Sequence, residues 1–198
     1  MRAAALLALA LLGPLAAHAG AQVYEPIAES VRNQLRIAVA HRRAPVLQFS
    51  NAQDAHRWSS EMSQRLRRHI PDRRERDEFL KTVHYFSLRA RLDPQMVLGV
   101  IHVESRYKRY AVSSAGAMGL MQVMPFWVKV IGQPGDNLFD MKTNIVYGCA
   151  ILRHYLDIEN GDYFRALGRY NGSLGRAEYP NSVNASRRDQ WGYDGPTS

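Results

Sequence analysis

Glu104 is the residue whose type and position most suggest chemistry. It follows Val97 by seven residues and Ile101 by three, so on a helix it extends an apolar stripe. A carboxylate placed there loses hydration, which favours the protonated form. A carboxyl that holds its proton near neutral pH suits general acid catalysis. The plain alternative is a glutamate at a helix end whose head reaches water.

The residues around it add polar groups in an apolar setting. Ser105 follows directly, and Ala111 to Gln122 reads AVSSAGAMGLMQ. Its glycines and small residues let backbone approach a ligand closely. Ser113 and Gln122 are polar positions among apolar ones. Further on, Tyr170 and Asn171 precede Gly172. Each has a structural reading as well. Ser113 can cap a turn, Met118, Met121 and Met124 can fill core, and Tyr170 can be a packed aromatic. The single cysteine, Cys149, lies on a core stripe and reads as a small buried hydrophobe, not a nucleophile.

Other chemistries fail on inspection. His102-x-Glu104 lacks the P-C-x-x-C that a deaminase zinc site needs. H-E-x-x-H and the phosphate-cradling G-x-x-x-x-G-K-[ST] are absent. Asn171 stands where a G-x-S-x-G elbow around Ser173 needs glycine. No metal and no cofactor are expected.

The four motifs together resemble the lytic transglycosylases of the Slt type, a branch of the lysozyme-like superfamily. That family shows E-S, then A-x-S-x-x-G-A-x-G-L-M-Q, then a helix starting N-I, then A-Y-N. This chain has Glu104-Ser105, the whole second motif from Ala111 to Gln122, Asn144-Ile145 and Tyr170-Asn171. The likeness covers roughly residues 80 to 185. Two departures stand out: Arg169 replaces the alanine before the tyrosine, with Gly172 one place early, and Tyr179-Pro180 replaces a downstream Y-V. The resemblance implies an acid/base role for Glu104 at the bond between N-acetylmuramic acid and N-acetylglucosamine. The sugar's own 6-hydroxyl would close a 1,6-anhydro ring in place of water. It further implies that Ser113 and Gln122 bond the sugar, that Met121 lines the cleft, that Tyr170 holds the Glu104 carboxyl and that Asn171 shapes the cleft. One carboxyl acting twice would explain the lack of an evident second acid, which ordinary glycosidases require. Asp136, Asp140 and Asp157 stay open as partners for a goose-type lysozyme hydrolase. A non-catalytic peptidoglycan-binding module is the other alternative.

The elements that must position these residues are helical. Ile27, Val31 and Leu35 are spaced for a short helix, and Trp58, Met62 and Leu66 for a second over 54–68. Phe79, Val83, Phe86 and Ala90 predict a helix of about four turns. Asp93-Pro94 is a start signal. Phe126 to Ile131 is a short apolar helix, Thr143-Asn144 reads as the cap of the next, and Tyr163 to Gly168 forms a last one. No period-2 alternation of useful length occurs. The expected fold is all-α: a lysozyme-like helical domain with a substrate cleft over 73–190, preceded by a helical N-terminal extension over 20–72 and followed by a loose tail over 191–198.

Residues 1–19 read as a secretory signal peptide. Arg2 supplies the positive start, and Ala17-His18-Ala19 or Ala19-Gly20-Ala21 the cleavage site. The apolar run Ala3–Leu12 is half the ~20 residues a spanning helix needs, so no stable membrane anchor is expected. Its removal takes 26 basic residues to 25 against 18 acidic ones, a net charge of +7. Such a charge outside the cell suits an anionic polymer, and export argues against nucleic acid. The expected location is periplasmic or secreted. The expected partners are peptidoglycan glycan strands and cell-wall machinery proteins, with the chain itself a monomer. The arginine-rich stretch from Arg65 to Arg76 reads as a solvated helix face and linker, or else as a contact for an acidic wall polymer.

Overall fold

The structure, a computed structural model, describes residues 22–23, 25–40 and 44–198. The expected signal peptide lies outside the described residues. Among the described residues eight helices follow one another: α1 Glu29–Val39, α2 Ala52–Leu66, α3 Arg73–Arg89, α4 Pro94–Ser105, α5 Phe126–Ile131, α6 Met141–Ile158, α7 Tyr163–Asn171 and α8 Glu178–Asp189. Among the described residues there is no strand, only isolated antiparallel bridges from Met118 to Val112 and to Val123. The fold is all-α.

Side-chain caps set most helix starts. Asn51, Asp72, Asp93, Asp140 and Asp162 each accept a hydrogen bond from an amide in the first turn of α2, α3, α4, α6 and α7. Such caps satisfy donors that the helix itself leaves unpaired. Asp93-Pro94 starts α4 as expected. The cap expected at Thr143-Asn144 is instead Asp140, three residues earlier, because its carboxylate takes the Thr143 amide at 2.8 Å. The arginines from Arg73 onward belong to α3 and not to a linker, since Asp72 opens that helix.

The periodic stripes meet in one core. Phe79, Val83 and Phe86 of α3, Val97 and Ile101 of α4, and Ile145, Cys149 and Leu152 of α6 are all buried together. The Cys149 thiol is pushed up to about 12 by burial, which rules out a nucleophilic role near neutral pH. Trp58, Met62 and Leu66 of α2 and Leu35 and Val39 of α1 join the same core. The N-terminal helices are therefore packed onto the rest. The tail is not loose from residue 191. Trp191 is 1% exposed and its ring lies 5.3 Å from that of Tyr107. Arg65 donates to the Gln190 and Gly192 carbonyls, and the Thr197 carbonyl lies 2.8 Å from His84 Nε2. A large apolar ring and satisfied carbonyls hold a segment that its Gly/Asp/Pro/Ser composition would leave free.

Helix α8 was not evident from the pattern, yet it packs most extensively on α4. Gly99 makes the approach close: a Cβ there would lie 3.2 Å from the Val183 carbonyl. Pro180 sits in the first turn of α8, where a missing N–H costs nothing.

A second clamp holds the loop after α4. Asn144 is buried on α6. Its Oδ1 accepts from the Met121 amide at 2.7 Å, and its Nδ2 donates to the carbonyls of Met118 and Leu138. Gly119 faces this amide with φ +77°, and a Cβ there would collide with Asn144 and with the Leu138 carbonyl. Asn144→Ala should leave two polar backbone groups unpaired, the Met121 amide and the Leu138 carbonyl, and cost about 3 kcal/mol. That is roughly 10 °C in Tm for a chain of this size. A thermal melt followed by circular dichroism measures it; an unchanged midpoint would contradict the clamp.

Candidate active site

Glu104 is the penultimate residue of α4. The helix stops at once because Arg106 and Tyr107 are both left-handed, with φ of 50° and 65°. Non-glycine residues hold such conformations only where their surroundings impose them. Here the Tyr107 hydroxyl donates back to the Leu98 carbonyl at 3.0 Å, and its ring lies in a cluster with His69, His102 and Trp191.

The Glu104 side chain points into the protein and is 6% exposed. Its Oε1 accepts a 2.6 Å hydrogen bond from the Tyr179 hydroxyl, carried by α8. Its Oε2 is buried with no hydrogen-bond partner. Burial pushes the carboxyl up to about 8, and the Tyr179 bond pulls in the other direction. Neither cause is another carboxylate. Native proteins rarely bury a polar atom without a partner, so Oε2 is an open position on a mostly neutral acid.

Tyr170 does not hold the acid. Its hydroxyl donates to the Met121 carbonyl at 2.7 Å, and it is fully buried. Burial and then the charge of Glu104 push that hydroxyl well above its ordinary value, and the same two causes act on Tyr179. The three groups therefore share one electrostatic environment, with Tyr179 in the contact expected of Tyr170. The reason is geometric: α7 aims its tyrosine at the loop, and α8 aims Tyr179 at the end of α4.

The other expected residues build the loop beside the acid. The Ser113 hydroxyl accepts from the Ala117 amide at 3.0 Å and caps a tight turn. Gln122, left-handed at φ 48°, donates its amide nitrogen to the carbonyls of Ala111 and Gly119. Met121 is fully buried against α6 at Gly148, so its side chain is core and not cleft lining. Asn171 is buried at the end of α7, where Gly172 supplies a left-handed cap. The three aspartates considered as second acids are engaged elsewhere. Asp136 accepts from the Tyr147 hydroxyl, Asp140 caps α6 and Asp157 pairs with Arg153.

Gln22, ahead of α1, reaches the same region. Gln22 is buried, and its Oε1 accepts from the Trp127 indole N–H at 3.0 Å and from the Met124 amide at 3.3 Å. Its Nε2 has no partner in hydrogen-bond geometry, although the side chain lies near enough to the Tyr170 hydroxyl to oppose its upward shift. Arg169 pairs with Glu159 on one side and with Glu25 at 3.3 Å on the other. An arginine here thus ties the segment at Glu25 to α7.

The Transglycosylase SLT domain family matches residues 82–191. The chain belongs to this family. The matched residues run from α3 through α8 and include Glu104, the loop to Gln122, Tyr170 and Tyr179. The transglycosylase of Enterobacteria phage PRD1 is 36% identical over 126 residues, which cover 60% of this chain and 46% of that one. The membrane-bound lytic murein transglycosylase C of Haemophilus influenzae (strain PittEE) is 29% identical over 181 residues, 83% of this chain and 48% of its own. A solved structure of lytic transglycosylase Slt from Pseudomonas aeruginosa shares 22% identity and a TM-score of 0.46, over 62% of this chain and 23% of that one. This chain spans less than half the length of these relatives.

Sequence reasoning missed Tyr179 and the clamp role of Asn144 within this SLT domain, and Gln22 outside it. Tyr179-Pro180 was visible only as a departure from Y-V. Tyr170→Phe should unpair the buried Met121 carbonyl and cost about 1–3 kcal/mol. Urea denaturation measures this, and wild-type stability would contradict the assignment.

Proposed function

We propose that the chain cleaves the β-1,4 bond between N-acetylmuramic acid and N-acetylglucosamine in peptidoglycan, without water, as a lytic transglycosylase. The observation that carries this reading is the buried Glu104 carboxyl, raised to about 8, with one oxygen held and the other open. The protonated Glu104 gives its proton to the glycosidic oxygen as the C1–O bond breaks. The resulting carboxylate is steadied by the Tyr179 hydroxyl on Oε1. It then takes the proton of the muramic acid 6-hydroxyl as that oxygen bonds C1. Acid and base are the same group, protons balance, and no second carboxylate is needed, in contrast to ordinary glycosidases. A positioned acid/base of this kind supplies roughly 10²–10⁴ in rate.

The cradle around Gln22 fits the same substrate. Two N–H groups, from Met124 and Trp127, converge on one carboxamide oxygen. An N-acetyl group offers the same oxygen, so an amino sugar could replace the glutamine side chain there. Family membership supports the reading, as do the names of the murein transglycosylase relatives. Ser113, Gln122 and Asn171 would then act by fixing the loop and wall that the glycan meets. Residues 1–19 would direct export to the periplasm or beyond. No helix among the described residues is long and apolar enough to cross a membrane. The chain would meet glycan strands as a monomer, alongside any cell-wall machinery proteins.

Mass spectrometry of products from purified peptidoglycan tests the proposal. Wild type should release muropeptides one water lighter than hydrolytic products, and Glu104→Gln should release none while keeping its fold. Reducing-end products would make it a goose-type hydrolase. Silence from both proteins would point to a binding module.

A further inference from the structure

Helices α2 and α3 enclose a groove of about 730 Å³ that none of the residues around Glu104 line. Its wall is basic: Arg67, Arg73, Arg76 and Lys81 stand against one acid, Asp77. Asp77 is itself paired with Arg73 at 3.9 Å. Arg76 is the unusual member. It is 8% exposed. Its Nε donates to the Ser63 hydroxyl at 3.1 Å, and its Nη1 donates to the carbonyls of Ile70 and Pro71, each at 2.7 Å. These bonds join α2, the α2–α3 turn and α3, and they lock the guanidinium plane. Its remaining nitrogen, Nη2, makes no hydrogen bond among the described residues. Among the described residues no carboxylate lies within 4 Å of Arg76, and the residues outside that set include no aspartate or glutamate.

A buried cation is normally paired, because desolvation without a counter-charge is costly. A planar guanidinium held by neutral oxygens, with one nitrogen facing a basic groove, is preorganised to meet an oxyanion. We propose that this groove is a binding site for a small oxyanion-bearing group, with Arg76 as its fixed anchor and Arg67 and Lys81 as its basic rim. The chemistry is that of a free carboxylate of a peptide stem or of a phosphoryl group. Arg76 precedes residue 82, where the SLT match begins, so the site belongs to the part of this chain outside the matched domain. It stands apart from the reading of Glu104.

The test is isothermal titration calorimetry on the full mature chain, with inorganic phosphate and, separately, with a glycan-free stem tetrapeptide. At least one probe should bind saturably with one site per chain. Arg76→Gln should weaken it by about tenfold or more, which is 1.4 kcal/mol. If Arg76→Gln perturbs folding, the double variant Arg67→Ala/Lys81→Ala decides, because it leaves the three Arg76 bonds intact. It should weaken binding about fivefold or more with an unchanged melting temperature. Binding of phosphate alone assigns a phosphoryl ligand; binding of the tetrapeptide, with or without phosphate, assigns a carboxylate. Absence of saturable binding by both probes, or undiminished binding in the double rim variant, overturns the site.

Discussion

The hydroxyl of Tyr179 meets the carboxyl of Glu104 across the seam between α4 and α8, and the site depends on that contact. One oxygen of the acid is fixed and the other is left open. The contact exists because two helix ends are held in register. Gly99 lets the backbones approach, Arg187 of α8 pairs with Asp93 at the start of α4, and His102 Nδ1 and the Ser186 hydroxyl share a hydrogen bond of 2.8 Å. Two consecutive left-handed residues then turn the chain away immediately after the acid.

Burying that acid works against the fold. Its value rises from 4.5 in the free side chain to about 8 in the folded protein. Between those values the folded state keeps a proton that the unfolded state releases. The raised value therefore means that stability is lost as pH climbs through this window, by an amount on the order of a few kcal/mol. The rest of the molecule offsets this by extensive packing. The core draws on α1 and α2 as well as on the SLT-matched helices, and Trp191 closes it from the tail. The Asn144 clamp and the amide of Gln122 hold a loop whose glycines would otherwise leave it floppy.

Much of this was legible in the sequence where periodicity was strong. The stripes of α3, α4 and α6 are long and apolar, and Asp93-Pro94 is an unambiguous start, so Glu104 could be placed on a helix and on its buried face. The residues that hold the acid were harder to read. Helix α8 carries only Tyr179, Pro180, Val183 and Ser186 inward among polar neighbours, a pattern too thin to stand out, and one that includes a proline. Tyr170 and Tyr179 differ in partner only through the angle at which their helices approach, which no linear spacing encodes. Asn144 was taken for a cap because its side chain is typical of one. Two of its three bonds reach a loop more than twenty residues away, and only the folded chain brings them together.

The proposed chemistry turns on the protonation state of one carboxyl. Carbon-13 NMR of the chain labelled at the glutamate side-chain carboxyl, with Glu104→Gln to assign the signal, reads it directly. Glu104 should titrate with a midpoint near 8, moving higher still in Tyr179→Phe as the bond that favours the charged form is lost. A midpoint near 4.5, unmoved by Tyr179→Phe, would contradict it.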